Sequence, residues 1–294
     1  MITIQKKLFI ISLLLLINPV FAQISDESLK INPLLELYGF NAKTLELKGN
    51  VTQMHEQQFS INAKGNITGD SELINNFYKF YTEGSTKEFE QNYKYLLSKK
   101  HFFSYTNKGY ISHIDIETVN VAKDKDTTST DLENETQTPD FSTADYKYVQ
   151  KKNILYKGEE VTEGSSKKTT TRKEYFYHFN DENQVFQIDY QSTDLSKKFI
   201  YDSNALVKEM HTFKSGILSH KSIYKYDRNN RLINIATINS DNNTKYPNRE
   251  IVITYKLDEI GNVIEKKMIT YLYSPEGTKE FLEGFLNLYN YTYL

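Results

Sequence analysis

The residues that could carry acid–base or metal chemistry are few and scattered along the chain. The six histidines are His55, His101, His113, His178, His211 and His220. None of them lies in an H-x-H or H-E-x-x-H motif, or in a cluster with acids at metal-ligand spacing. His113 alternates with Asp115 and Glu117, which is more typical of a solvated strand face than of half a catalytic site. We therefore expect no catalytic residue, no metal site and no cofactor.

Other signatures of enzymes and nucleotide-binding proteins are also missing. The absence of cysteine excludes disulfides, thiolate zinc sites and a cysteine nucleophile. The motifs G-x-S-x-G, G-x-x-x-x-G-K-[ST] and G-x-G-x-x-G do not occur. Asp202, Asp227 and Asp258 would bind calcium only if their turns were stacked, and capping of each turn explains them without a metal. The sequence favours a protein that is not an enzyme.

Tyrosine supplies the candidate binding residues. The chain has 23 Tyr and 17 Phe but no Trp. Three pairs of tyrosines are spaced two residues apart, so each pair lies on one face of a strand. The pairs are Tyr175 and Tyr177, Tyr224 and Tyr226, and Tyr271 and Tyr273. If exposed, such stripes predict stacking on a glycan or burial against a protein partner; if buried, they form the core of a sheet.

The N-terminal residues predict export. Lys6 and Lys7 precede an apolar run from Leu8 to Ile17, and Val20-Phe21-Ala22 follows as a cleavage site. We therefore expect residues 1–22 to be a signal peptide and the mature protein to be periplasmic or extracellular. No further apolar run of that length occurs, which predicts no membrane span after signal removal. A net charge of −2 also predicts no nucleic-acid partner.

The pattern along the chain predicts two halves joined by a linker. Residues 122–145 are rich in Thr, Asp and Ser, which predicts a flexible linker or loop. The flanking regions, 23–121 and 146–294, alternate apolar and polar residues as β-strands do. Residues 86–99 fit either a helix with a capping box from Ser85 to Glu88 or a strand, and the neighbouring repeats favour the strand.

A seven-residue pattern recurs in the chain and predicts β-hairpins. It consists of a large apolar residue, then Asp, Asn or Thr, two free positions, Gly or Asn (once Ala, at Ala205), one free position, and Val, Ile or Leu. The second residue suits the start of a type I turn and the fifth suits a left-handed conformation. The first and seventh residues are then cross-strand partners. The predicted pairs are Ile61/Ile67, Tyr105/Ile111, Phe179/Val185, Tyr201/Val207, Tyr226/Leu232 and Leu257/Val263.

These windows resemble the YD repeat of Rhs and teneurin proteins. Tyr224-Lys225-Tyr226-Asp227, followed by Asn230-Arg231-Leu232, looks like the pattern Y-x-Y-D-x-x-G-R-L. The resemblance is best over about residues 175–270 and looser over 45–115. It implies an all-β fold in which antiparallel hairpin repeats form an open twisted sheet or partial barrel. It divides the chain into N-terminal hairpin repeats (23–121) and C-terminal YD-like hairpin repeats (146–294).

The functional expectation follows from export, repeats and the missing catalytic motifs. We expect an exported, non-catalytic protein whose sheet face or edge binds a protein or a glycan. The alternative, which depends on the repeat alone, is an accessory or immunity-type protein of an Rhs-like toxin system.

Overall fold

The protein forms sixteen β-strands and one short helix in the part of the chain that the structure describes. The computed structural model describes residues 29–39, 41–69, 72–93, 97–120, 140–163, 168–242 and 245–294. The predicted signal peptide, residues 1–22, lies outside these ranges, as does most of the predicted linker. Residues 140–145 of that predicted linker are the beginning of a strand.

The bounds of the elements are α1 Leu35–Tyr38, β1 Val51–Ser60, β2 Ile74–Phe80, β3 Thr86–Tyr93, β4 Leu97–Tyr105, β5 Ile111–Asn120, β6 Asp140–Lys151, β7 Ile154–Glu163, β8 Thr169–Phe179, β9 Val185–Tyr190, β10 Leu195–Tyr201, β11 Val207–Lys214, β12 Ile217–Tyr226, β13 Leu232–Asn239, β14 Arg249–Leu257, β15 Val263–Tyr273 and β16 Lys279–Tyr293. A 3-10 turn, Gln191–Thr193, lies between β9 and β10. Within the described residues no helix is long and apolar enough to cross a membrane.

The strands form a closed barrel. Each strand pairs with the next in antiparallel orientation, and β1 pairs with β16 from Val51↔Tyr293 to Ser60↔Phe285. The all-β prediction is therefore confirmed, whereas the predicted open sheet or partial barrel is wrong. Closure matters physically because it leaves no strand edge with unpaired backbone groups.

The two ends of the barrel differ in their connections. The turns after β2, β4, β6, β8, β10, β12 and β14 lie at one end, together with the start of β1 and the end of β16. We call this the turn end. The opposite end, which we call the loop end, carries longer connections such as residues 61–73 and 240–248.

The predicted hairpin pairs are confirmed. All six pairs occur in the observed register, five within strand ladders and Ile61↔Ile67 as an isolated bridge. The turns contain left-handed residues where the pattern needs them: Asn183, Ala205 and Asn230 have φ of 61°, 61° and 62°. Asp202, Asp227 and Asp258 accept hydrogen bonds from backbone amides of their own turns.

The resemblance to YD-repeat proteins is nevertheless wrong. The shared residues describe the chemistry of a short turn, which any hairpin with a left-handed residue requires. They specify neither the number of strands nor the pairing of β1 with β16. The ambiguous stretch, residues 86–99, contains β3 and the beginning of β4, so its strand interpretation is the one observed where the structure describes it.

Candidate functional site in the barrel lumen

Alternation along each strand decides which side chains enter the lumen. On β8, Tyr177 is fully buried and faces inward, while Phe176 and His178 on either side of it face outward. The inward face changes in character from the turn end to the loop end. Three zones follow one another along the strands: a tyrosine-lined turn end, a packed zone next to it, and a polar loop end.

Tyrosines line the lumen at the turn end. Each hydroxyl donates a hydrogen bond of 2.6–2.9 Å to the carbonyl oxygen of the first residue of the preceding strand. The donor–acceptor pairs are Tyr105–Thr86, Tyr148–Ile111, Tyr201–Val185, Tyr226–Val207, Tyr255–Leu232 and Tyr291–Val263. We call these six residues the tyrosine ring. The ring ties neighbouring hairpins together at the level where their turns begin.

The N-terminal segment, residues 29–39 and 41–48, packs across the turn end. Leu35, Leu37 and Leu45 are at most 6% exposed and contact the inward residues of the barrel wall. Gly39, with φ of 64°, passes so close to the wall that a Cβ would lie 2.8 Å from the Ile111 side chain. The segment therefore fits the turn end as a seal, at a position where a side chain in place of glycine would collide.

Hydrogen bonds attach this segment to the barrel wall at three places. The Leu29 carbonyl accepts from the Leu232 amide at 2.8 Å, and the Ala42 amide donates to the Gly84 carbonyl at 2.8 Å. The Lys48 amide donates to Asn262 Oδ1 at 2.6 Å, and Asn262 Nδ2 donates to the Lys48 carbonyl at 3.0 Å. Contacts on several sides of the opening hold the segment across the lumen.

The zone next to the tyrosine ring is filled by the wall itself. Its inward residues include, all less than 9% exposed, Met54, Tyr78, Phe89, Phe103, Ile114, Tyr146, Lys157, Tyr177, Ile188, Phe199, Tyr224, Ile253, Lys266 and Tyr289. Rings in this zone pack face to face, as Tyr78 and Phe89 do with centroids 4.7 Å apart. The lumen is therefore a packed core at this level.

Charged side chains in the interior are held by partners. Glu56 is 2% exposed and accepts hydrogen bonds from Asn76, Tyr78 and Asn287 at 3.0, 3.2 and 2.5 Å. Lys157 is 1% exposed, and its ammonium group lies 4.8 Å from the ring centroids of both Tyr146 and Tyr175. These contacts offset the cost of removing a charge from water.

The loop end of the lumen is polar and basic. On the sector from β9 to β14, inward positions toward this end hold Lys197, Lys214, His220 and Arg249, and the inward positions of these strands hold no carboxylate. Arg249 pairs with Glu283 of β16 at 3.2 Å. Lys214, Asn239 and Arg249 are exposed, whereas Phe199, Leu232 and Ile253, nearer the turn end, are buried.

The six predicted binding tyrosines fall into two groups. Tyr175, Tyr177, Tyr224 and Tyr226 face the lumen, and the last of them belongs to the tyrosine ring. Tyr271 and Tyr273 face outward near the loop end, where Lys279 lies 3.9 Å from the Tyr271 ring centroid. The structure does not bring all six together, and their role in binding stays a prediction.

His113 and Asp115 share one face of β5, as the alternation predicts. His113 lies on the outer wall, where its ring nitrogens contact Asp145 at 2.8 Å and Asp115 at 3.0 Å. Among the described residues no group of three or more histidines and acids is arranged to hold a metal ion. Sequence reasoning missed the tyrosine ring, although Tyr105, Tyr201 and Tyr226 open the seven-residue windows.

Two solved structures are similar to this chain. A porin-like protein from Bacteroides uniformis has 9% sequence identity and a TM-score of 0.39, over 83% of this chain and 99% of that chain. A porin-like protein from Bacteroides vulgatus has 11% identity and a TM-score of 0.32, with the same coverage of 83% and 99%. No known protein family and no curated protein matches the sequence.

The closed barrel overturns the expected function. The prediction that a sheet face or edge of an exported repeat protein binds a protein or glycan is wrong. Closure removes the sheet edge, and one face of the sheet lines the lumen. The alternative of an accessory or immunity-type protein is also wrong, because it depended on the YD repeat alone.

The inference from missing apolar runs to the absence of a membrane span is wrong as well. It was based on the absence of long apolar runs, which is a criterion for helices. A closed antiparallel barrel is the architecture in which strands cross a membrane, and each strand then shows only alternation. The coarser part of the localisation prediction, export, agrees with a barrel of this kind.

Proposed function

We propose that the protein is a porin-like barrel of the cell envelope, whose lumen admits small solutes at the loop end and is sealed at the turn end. The observation that carries the proposal is the graded inward face. It is packed against the N-terminal segment at one end and is polar, basic and exposed at the other. A solute entering at the loop end would meet Lys214 and Asn239 before it reached the packed zone.

The outer membrane is the compartment that this architecture favours. Barrels of that membrane have antiparallel strands in even number, short turns at one end and longer loops at the other. The present barrel has these features, and its first and last strands meet at the turn end. Some barrels of this class also contain a plug within the lumen, and residues 29–39 and 41–48 lie where a plug would.

The outer wall sets a condition on that placement. Outward residues near the middle of the strands include Glu90, Asp115 and Lys267. A basic side chain at the bilayer midplane costs about 2–4 kcal/mol, and an acidic one less. Pairs such as Lys100–Glu90 at 3.6 Å offset part of this cost. Placement in the membrane therefore requires a test separate from that of the lumen.

Single cysteines on β13 test the two ends of the lumen. The chain has no cysteine of its own, so each introduced thiol is the only one. The folded Asn239→Cys and Thr237→Cys variants should react with a small water-soluble thiosulfonate reagent. Leu232→Cys should react at least about 100-fold more slowly, because Leu232 is 2% exposed and lies under the N-terminal segment. Ile238→Cys, on the outer face, is the control. Equal rates at positions 232 and 239 would overturn the seal, and an unreactive Thr237→Cys would overturn entry from the loop end.

Fractionation tests the membrane placement. If the barrel is inserted in the outer membrane, it stays with that membrane after washing with alkaline carbonate and urea. Release into the soluble fraction would refute the outer-membrane placement and would leave the cysteine result on the lumen unaffected.

A further inference from the structure

We propose that the lumen contains a binding site for a small phosphate-type oxyanion, formed by Lys197, Thr212 and His220 on neighbouring strands. The inference rests on the proposed entry of solutes at the loop end. It adds the chemical class of the solute and the residues that would bind it.

Strand register brings the three side chains into a row. Lys197 of β10 is directly opposite Thr212 of β11, and Thr212 is directly opposite His220 of β12. All three face inward, because they share the parity of Phe199, Met210 and Tyr224, which pack in the core. Directly opposed residues in antiparallel strands have Cα atoms about 4.5–5.5 Å apart. The row is therefore short enough for one small anion to contact all three groups.

The row has donors that are available to a ligand. Thr212 is 5% exposed, and its hydroxyl has no hydrogen-bond partner among the described residues. A buried hydroxyl without a partner is uncommon. His220 has one long contact, from Nδ1 to Ser219 Oγ at 3.4 Å, and no contact of Nε2 is observed among the described residues. An oxyanion would accept hydrogen bonds from both side chains.

The charge of the sector favours an anion. The ammonium group of Lys197 lies 5.3 Å from the Tyr190 ring centroid, and Lys197 has no ion-pair partner among the described residues. Lys214 lies next to the row on the side of the loop end, directly opposite Leu195. Toward β7, the inward Glu159 already accepts a hydrogen bond from Tyr175 at 2.9 Å. The inward strand positions around the row thus hold no carboxylate, and Asp194 lies outside the row, in the turn between β9 and β10.

Adjacent lysines offer a matched comparison. Lys197 faces the lumen, whereas Lys198 faces outward, with its ammonium group 5.2 Å from the Phe213 ring centroid. The Lys197→Gln and Lys198→Gln variants lose the same charge one residue apart. Any difference in phosphate affinity between the two variants therefore reports the position of the charge in the lumen and not the net charge of the protein.

The test is a titration of the folded, full-length protein with inorganic phosphate at constant ionic strength, monitored through the NMR signals of the His220 ring. The signals are assigned with a His220→Gln variant, and chloride at equal ionic strength is the control salt. We expect a saturable shift with phosphate, an affinity lowered by about tenfold or more in Lys197→Gln, and a change of less than about twofold in Lys198→Gln. Thr212→Val keeps the shape of the side chain and should also weaken phosphate binding. This second variant tests the site even if Lys197→Gln does not fold.

Two results would overturn the site. One is a linear shift identical for phosphate and chloride, and the other is equal weakening by Lys197→Gln and Lys198→Gln. The titration requires neither a bilayer nor a sealed turn end. A failed seal with saturable phosphate binding would therefore count against the proposed function alone, and a sealed lumen without phosphate binding would count against the site alone.

Discussion

The turn end and the loop end of this barrel are made by the same strands but differ in how their sequences are organised. At the turn end, short turns with Asp caps and left-handed residues recur from hairpin to hairpin. The tyrosine ring and the N-terminal segment close the opening there. At the loop end, connections differ in length, and inward positions carry Lys197, His220 and Arg249. The repeated hairpin turns therefore form the closed turn end of the barrel. The candidate binding residues lie toward the loop end, where the sequence does not repeat.

Weakening the packing of the N-terminal segment at the turn end should have the largest effect on the difference between the two ends. Leu37 is fully buried against the core of the β7–β15 half. Leu37→Ala should lower the free energy of unfolding by about 2–5 kcal/mol and, in the Leu232→Cys background, raise the rate of thiol labelling at the turn end. Denaturant unfolding and labelling kinetics measure the two effects.

Lys43→Ala is the control for that experiment, because Lys43 is an exposed residue of the same segment. If Leu37→Ala destabilised the protein no more than Lys43→Ala does, the packing of the N-terminal segment in the lumen would be refuted.

Removing a hydroxyl from the tyrosine ring should have the next largest effect. Tyr291→Phe deletes the donor to the Val263 carbonyl, which it contacts at 2.6 Å, and leaves that acceptor without this partner. We expect a loss of about 1–3 kcal/mol in the free energy of unfolding, measured in urea. Tyr156→Phe, which removes an exposed hydroxyl from the outer wall, should change stability by less than about 0.5 kcal/mol. Equal losses for the two variants would contradict a special role of the ring.

Relief of strain in one turn should stabilise the turn end. Ala205 has φ of 61°, a conformation that costs an L-residue with a side chain about 1–2 kcal/mol. Ala205→Gly should therefore raise the free energy of unfolding by about 1 kcal/mol, although the added freedom of the unfolded glycine offsets part of the gain. Asn204→Gly, in the same turn at a residue without positive φ, should not raise it. An Ala205→Gly variant that unfolds at lower denaturant than the parent would argue against the observed turn.

The smallest expected effect is the pH dependence of a turn acid. Burial acts to raise the pKa of Asp227, but hydrogen bonds from Arg231 and the Asn229 amide, with the charge of Arg231, hold that pKa below its usual value. The stabilisation is therefore present above the unfolded pKa of about 3.9 and is lost as the pH falls through the lower folded value. Asp227→Asn should show a weaker decline in stability than the parent between about pH 5 and pH 2 in acid unfolding curves. Parallel curves for the two proteins would contradict this assignment.

Much of the turn end could be predicted from the sequence. Each predicted pair depends on a few adjacent residues, as in Tyr226-Asp227 followed by Asn230 and Leu232, and local turn chemistry determines the register. The neighbouring hairpin windows likewise favour a strand at residues 86–93.

Closure and the lumen could not be predicted in this way. The pairing of β1 with β16 joins residues as distant as Gln53 and Thr292, and it depends on strand tilt and stagger across the whole sheet. Alternation also does not decide which face is inward here, because Phe77 and Phe102 face outward and Glu56 and Lys266 face inward. Lys197 and Lys198 are indistinguishable in sequence until the barrel places them on opposite faces.

Pairing of the first and last strands encloses the lumen, and a disulfide tests this pairing most directly. Gln53 and Thr292 are exposed, face outward and lie directly opposite each other on β1 and β16. Such opposed positions fall within the Cα separation of about 4.4–6.8 Å that a disulfide requires. The double variant Gln53→Cys/Thr292→Cys should form an intramolecular disulfide rapidly under mild oxidation, whereas Gln53→Cys/Lys225→Cys, with the second cysteine on distant β12, should not. Failure of the first pair to cross-link in the folded protein would contradict the closed barrel, because the two strands would then be separate edges of an open sheet.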